Sequence, residues 1–188
     1  MSLAPDRVIR GLLFDRDDTL VVDVPYNADP HLVVPVPGAR RAVERARAAG
    51  LLLGVVTNQS AIAKGLATRA QVDATNDRVD ELVGPFDVWC VCSHDAADDC
   101  ACRKPRPGMV LDAAERLGVP PEALVVIGDI GADVLAAQAA GAQGVLVPTP
   151  RTRAEEVDAA DTVARTLAEA VDLVIAAAEP SLVERDRA

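Results

Sequence analysis

Five short apolar runs recur along this chain, at residues 8–14, 51–57, 87–92, 124–128 and 144–147, and each of the first four leads through a turn or loop into a stretch with helical spacing. Strand-length runs alternating with helices argue for a parallel sheet covered on both faces and joined by right-handed crossovers. The helical stretches are read at 38–49, 68–83, 107–117, 132–140 and 163–178. The first carries Ala42, Val43, Ala46 and Ala49 on one face and stops at Gly50; the second carries Val72, Thr75, Val79, Leu82 and Val83. Residues 21–37 hold four prolines and no sustained period, so they read as an irregular loop, and the charged tail after Pro180 reads as frayed. The expected fold is α/β: a three-layer αβα sandwich around a mostly parallel, doubly wound sheet, one domain over 1–188, with no insertion large enough for a cap.

Composition narrows the partners. The net charge of −10 opposes a polyanion such as DNA, and aromatic residues, at 2%, leave little for stacking on bases. Nucleic acid is therefore not expected as a partner, although a metal and a few basic residues could still make a local site for a small phosphorylated molecule. No apolar run reaches the length of a membrane span and the N-terminus lacks a signal pattern, so a cytoplasmic protein with no membrane partner is expected. No helix offers a surplus apolar face, and a monomer is expected.

The strongest chemical signal is Phe14-Asp15-Arg16-Asp17-Asp18-Thr19-Leu20, where two carboxylates two residues apart end an apolar run. In doubly wound sheets that edge is where ligands bind. A carboxylate can attack a phosphoryl group when a divalent cation suppresses the charge repulsion, and a second acid can protonate the leaving alcohol. Alone, the segment reads equally well as a solvated turn. Three further turns supply matching chemistry in order: Thr57-Asn58 after the second run, Arg103-Lys104-Pro105 before a helix, and Asp129 after the fourth run with Asp133 one helical turn later.

The ordered set FDRDDT, VVTN, RKP and GDIGAD resembles the four motifs of the haloacid dehalogenase phosphatases, over residues 14–133. The resemblance implies Asp15 as nucleophile and Asp17 as general acid/base. It implies Thr57 on the transferring phosphoryl group with Asn58 beside it, and Lys104 neutralising its charge. Asp129 would complete a Mg²⁺ site with Asp15 and the Asp17 carbonyl, and Asp133 would support that site or hold Lys104. Lys64 and Arg103 are further candidate anion contacts.

All four cysteines fall between Cys90 and Cys102, which points to a metal rather than a disulfide framework. Cys92, His94, Cys100 and Cys102 form two close pairs suited to tetrahedral Zn²⁺, in a loop at about 92–102 that would staple Lys104 in place. Cys90 in place of His94 is the alternative set; as a non-ligand, Cys90 would be a small buried hydrophobe. The C-x-H…C-x-C-R-K-P arrangement is similar to that of the D-glycero-D-manno-heptose 1,7-bisphosphate phosphatases and the neighbouring histidinol-phosphate phosphatases. The residues from Thr57 to Gly65 share that similarity. The expected substrate is thus a small phosphorylated sugar or amino alcohol. The sequence departs from the pattern at Asp18, where glycine is usual, at Ile130, where the heptose enzymes carry lysine, and at Ala61. Tyr26, Asn27 and His31 lie in the loop where substrate contacts would fall. The reading from another class is a zinc-stabilised binding module without catalysis.

Overall fold

The computed structural model describes residues 3–4 and 7–183, so the expected frayed tail lies largely outside the described residues. Five strands form one parallel sheet: β1 (Gly11–Phe14), β2 (Leu52–Asn58), β3 (Val88–Cys92), β4 (Leu124–Gly128) and β5 (Gln143–Leu146), in the order β3-β2-β1-β4-β5. The helices are α1 (Ala39–Ala48), α2 (Arg69–Val83), α3 (Gly108–Leu117), α4 (Gly131–Ala139), α5 (Ala154–Ala159) and α6 (Leu167–Val183). The three-layer, doubly wound α/β fold read from the sequence is the one observed.

The period of two in each strand divides the core. Leu12 and Phe14, Leu53 and Val55, and Val125 and Ile127 face the layer containing α1, α6 and the C-terminal half of α2. Leu13, Val56, Leu124 and Val126 face the layer of α3 and α4. Chain direction explains the division. The sheet grows one way from β1 through β2 to β3, then returns to place β4 and β5 on the other side of β1. Right-handed crossovers then put the first two helices on one face and α3 and α4 on the other. Within the sheet, Gly54 leaves room for the side chains of its cross-strand neighbours: a Cβ there would meet Val88 Cγ1 at 2.5 Å and Leu13 Cδ2 at 2.7 Å.

The boundaries differ from the sequence reading where tertiary contacts decide them. β1 begins at Gly11 rather than at residue 8, because only from there does the backbone pair with both β2 and β4. The last helix starts at Leu167, and a separate short helix, α5, precedes it; its six residues, three of them acidic, carry no apolar period to announce them. Pro30–Leu32 forms a 3₁₀ turn within the irregular loop. No described helix is long and apolar enough to cross a membrane.

Leu53 is fully buried in the central part of the sheet. Leu53→Ala is expected to cost about 3 kcal/mol, transfer and cavity terms together, read as a lower urea midpoint at unchanged slope. A cost within experimental error would show that the α1/α6 layer is not close-packed there.

Candidate active site

The sheet reverses its order between β1 and β4, and the crevice at the C-terminal ends of these strands is where a doubly wound fold binds its ligand. Asp15 follows β1 and its amide donates to Ile127 O at 2.9 Å; Asp129 follows β4. Asp133 lies on the first turn of α4, where its Oδ2 accepts from the Ile130 amide at 3.2 Å. Gly128 makes room for it, since a Cβ there would stand 2.2 Å from the Asp133 carboxyl carbon. Carboxylate oxygens of Asp15, Asp129 and Asp133 lie within 4.8 Å of one another.

Lys104 enters this cluster from the loop before α3. Its Nζ lies 2.6 Å from Asp15 Oδ1 and 2.6 Å from Asp133 Oδ1, and donates to Val56 O at 2.8 Å. The Lys104 side chain is only 3% exposed, so its charge is balanced inside the protein rather than by water. The Asn58 side chain clamps the backbone of the same residue: Asn58 Nδ2 donates to Lys104 O at 3.2 Å and Lys104 N donates to Asn58 Oδ1 at 3.1 Å. Both ends of the amide are thereby engaged, and Asn58 acts on the lysine rather than pointing freely into the crevice.

Thr57 is buried at the end of β2, and its Oγ1 accepts from Gln59 Nε2 at 2.9 Å. The same amide nitrogen donates to Asp17 Oδ2, also at 2.9 Å. Arg16 grips the Asp17 carboxylate with two nitrogens at 3.0 Å and donates through Nη1 to Asn76 Oδ1 at 2.8 Å. Such a fork fixes the plane of the carboxylate. Its side chain is 2% exposed, whereas Asp17 keeps 27% of its own open. Sequence reasoning gave no role to Arg16, Gln59 or Asn76. Asn76 left a usable signal, a polar residue four after Val72 and three before Val79 on the apolar face of α2.

Three carboxylates with hard oxygen donors, buried together, suit Mg²⁺. Their electrostatics call for a cation. Burial pushes the Asp15 carboxyl up to about 7, with Lys104 opposing and Asp133 and Asp17 adding to the rise. Asp129 is pushed up to about 8 by burial, then by Asp15, Asp133 and Asp18. Lys104 is raised by the attraction of Asp133 and Asp15, which outweighs its own desolvation.

The cysteine loop gathers beside the Lys104 segment. Ligand atoms of Cys92, His94, Cys100 and Cys102 lie within 4.8 Å of one another. The sulfur pairs stand 3.2, 3.5 and 3.7 Å apart, and His94 Nδ1 is 3.3 Å from Cys102 and 3.7 Å from Cys92. Tetrahedral zinc with Zn–S near 2.3 Å would need ligand edges of about 3.8 Å, a few tenths of an ångström wider at most pairs. Cys90 is outside the cluster: its Sγ donates to Asp112 Oδ2 at 3.0 Å, and burial pushes the thiol up to about 12.

Lys64 and Arg103 lie at the rim. Lys64 Nζ donates to Tyr26 Oη at 3.0 Å and stands 3.8 Å from Asp95 Oδ1, so it links the irregular loop to the cysteine loop. Arg103 donates to His94 O at 3.3 Å. Asn27 is buried, its Oδ1 accepting from the Asp29 amide at 2.9 Å, a turn-closing role. His31 sits in the exposed 3₁₀ turn. Asp18 adopts a left-handed backbone with φ of 55°, which its short side chain tolerates.

Residues 101–170 match the family described as HAD-hydrolase-like. The chain is 35% identical over 147 residues to D-glycero-beta-D-manno-heptose-1,7-bisphosphate 7-phosphatase of Pseudomonas aeruginosa, covering 73% of this chain and 80% of that one. It is 39% identical over 149 residues to the protein of the same name from Mesorhizobium japonicum, covering 73% and 69%. Among solved structures it is similar to D,D-heptose 1.7-bisphosphate phosphatase from B. bronchiseptica, complexed with magnesium and phosphate. That likeness has a TM-score of 0.78 at 28% identity and spans 89% of this chain and 99% of the other.

The raised carboxyls give stability a definite pH dependence. Asp15 and Asp129 hold protons more tightly in the folded chain than in the unfolded one, where a carboxyl titrates near 4. In magnesium-free buffer stability is therefore expected to fall as pH rises from about 4 to about 8 and then to level off. Asp129→Asn should flatten the upper part of that slope. Melting temperatures across the range test it, and a rising profile would show that the acids are not buried together.

Proposed function

The chain belongs to the haloacid dehalogenase-like phosphatases, and from that membership we propose that it removes the 7-phosphate of D-glycero-D-manno-heptose 1,7-bisphosphate through an aspartyl-phosphate on Asp15. The observation that carries the catalytic part is the Asp15 carboxylate at the β1–β4 crevice, 2.6 Å from the Lys104 ammonium and with an oxygen within 4.8 Å of one of Asp129. A binding module would need no such set. The substrate rests on the named relatives and on the Cys92–His94–Cys100–Cys102 cluster beside Lys104.

Asp15, Asp129 and the Asp17 backbone carbonyl would hold Mg²⁺, which when bound offsets the charge of the phosphoryl oxygens and of the acids. An Asp15 carboxylate oxygen attacks phosphorus as the bond to the sugar oxygen breaks, and Asp17 gives that oxygen its proton. Water then attacks the same phosphorus, Asp17 takes its proton, the bond to Asp15 breaks and inorganic phosphate leaves. Lys104 and Thr57 bind the transferring oxygens. Arg16 and Gln59 keep Asp17 aligned through both steps. Cys92, His94, Cys100 and Cys102 would hold Zn²⁺ with no open position, a staple for the loop that carries Lys104.

Phosphate release from both anomers of heptose 1,7-bisphosphate, histidinol phosphate and fructose 1,6-bisphosphate, with Mg²⁺ present, tests the assignment. The heptose ester is expected to be preferred, Asp15→Asn to abolish turnover and Asp17→Asn to lower kcat by about 10²- to 10⁴-fold. Preference for histidinol phosphate would keep the mechanism and displace the substrate. Metal analysis is expected to find zinc near one per chain, lost in Cys102→Ser together with thermal stability. Full stability without zinc would remove the staple.

A further inference from the structure

The turn after β5 reaches back over the crevice. Thr152 Oγ1 donates to the Asp129 carbonyl at 2.6 Å, the Thr149 amide donates to Thr152 Oγ1 at 2.8 Å, and the Arg151 amide donates to Thr149 Oγ1 at 3.2 Å. These bonds hang Arg151 from the very residue that carries a metal-site acid. Its Nη1 stands 3.5 Å from Asp18 Oδ2 and pairs with the Asp23 carboxylate. Asp18 Oδ1 accepts from the Asp23 amide at 3.0 Å, so both carboxylates belong to one closed turn. The Asp18 side chain is only 20% exposed, and its charge is felt at Asp129. Without a counter-ion it would add a further negative charge at the mouth through which a dianionic phosphate must pass.

We propose that Arg151 supports this site electrostatically: its one positive charge, shared between Asp23 and Asp18, offsets Asp18 and thereby eases the approach of a phosphorylated substrate to Asp15. The pairing explains how the chain accommodates Asp18 in the catalytic turn, and it makes positions 18 and 151 a coupled unit, though they lie on loops after β1 and β5. The role rests on the phosphatase reading of the crevice. It does not require Arg151 to touch the substrate.

A double-mutant cycle separates these effects. Wild type, Asp18→Asn, Arg151→Gln and the double variant are titrated with inorganic phosphate by calorimetry at saturating Mg²⁺. Asparagine tolerates the left-handed backbone at 18 and retains an acceptor for the Asp23 amide. Removing one compensating charge close to a bound anion at the protein surface should weaken phosphate binding about fivefold. In the Asp18→Asn background the same change should cost no more than about twofold, and Arg151→Lys should recover most of the loss. An equal loss in both backgrounds would show that Arg151 contacts the anion, acts through Asp23 or only supports the turn, and no loss at all would show that Asp18 is harmless; either overturns the inference. With a phosphate ester, Arg151→Gln should raise KM and leave kcat nearly unchanged. Coupled phosphate binding without ester turnover in wild type would sink the phosphatase reading alone, whereas turnover with uncoupled substitutions would sink this inference alone.

Discussion

The site is organised by one buried ammonium. Lys104 Nζ is held by Asp15, Asp133 and the Val56 carbonyl, which belong to the ends of β1, α4 and β2 respectively. A charge so far from water is tolerated only where its partners are complete. The three elements must therefore arrive together, and each is placed by the parallel sheet: Asp15 by pairing of β1 with β4, Asp133 by the short turn from β4 to α4. The lysine itself comes from outside the sheet, on a segment pinned by Asn58 and flanked by the cysteine cluster. Fold and site are thus one electrostatic problem, in which the sheet supplies the acids and the loop after β3 supplies the cation.

The acids in turn set the affinity for cations. Burial and mutual repulsion raise Asp15 and Asp129 above ordinary carboxyls, so a divalent ion bound there would compete with protons for their oxygens. Lys104 prevents the cluster from being worse, and Arg151 does the same at the rim for Asp18. Charge compensation here is layered from the buried centre outward.

Much of this was legible in the sequence, for reasons specific to each part. The strand runs are rich in Val, Leu and Ile because both sheet faces are covered, and Asp15, Thr57 and Asp129 stand out because they end those runs abruptly. His94 rather than Cys90 joins the cysteine cluster, because Cys90 points beneath α3 towards Asp112. What the sequence concealed are contacts between distant segments. Nothing local tells that Asn58 is occupied by Lys104, that Arg16 reaches across to Asn76, or that Arg151 folds back on Asp18, since each pairing depends on loops meeting over the sheet edge. The α5 helix escaped for the opposite reason, being too short and too polar to show a period.

The bond between Arg16 and Asn76 joins the turn after β1 to the middle of a helix sixty residues away in sequence. Neither partner can be lost singly without orphaning a guanidinium donor or an amide acceptor in the interior. The pair thus predicts epistasis between the two positions: substitution at one is expected to be costly unless the other changes with it, a constraint that falls on the face of α2 turned towards the acid turn.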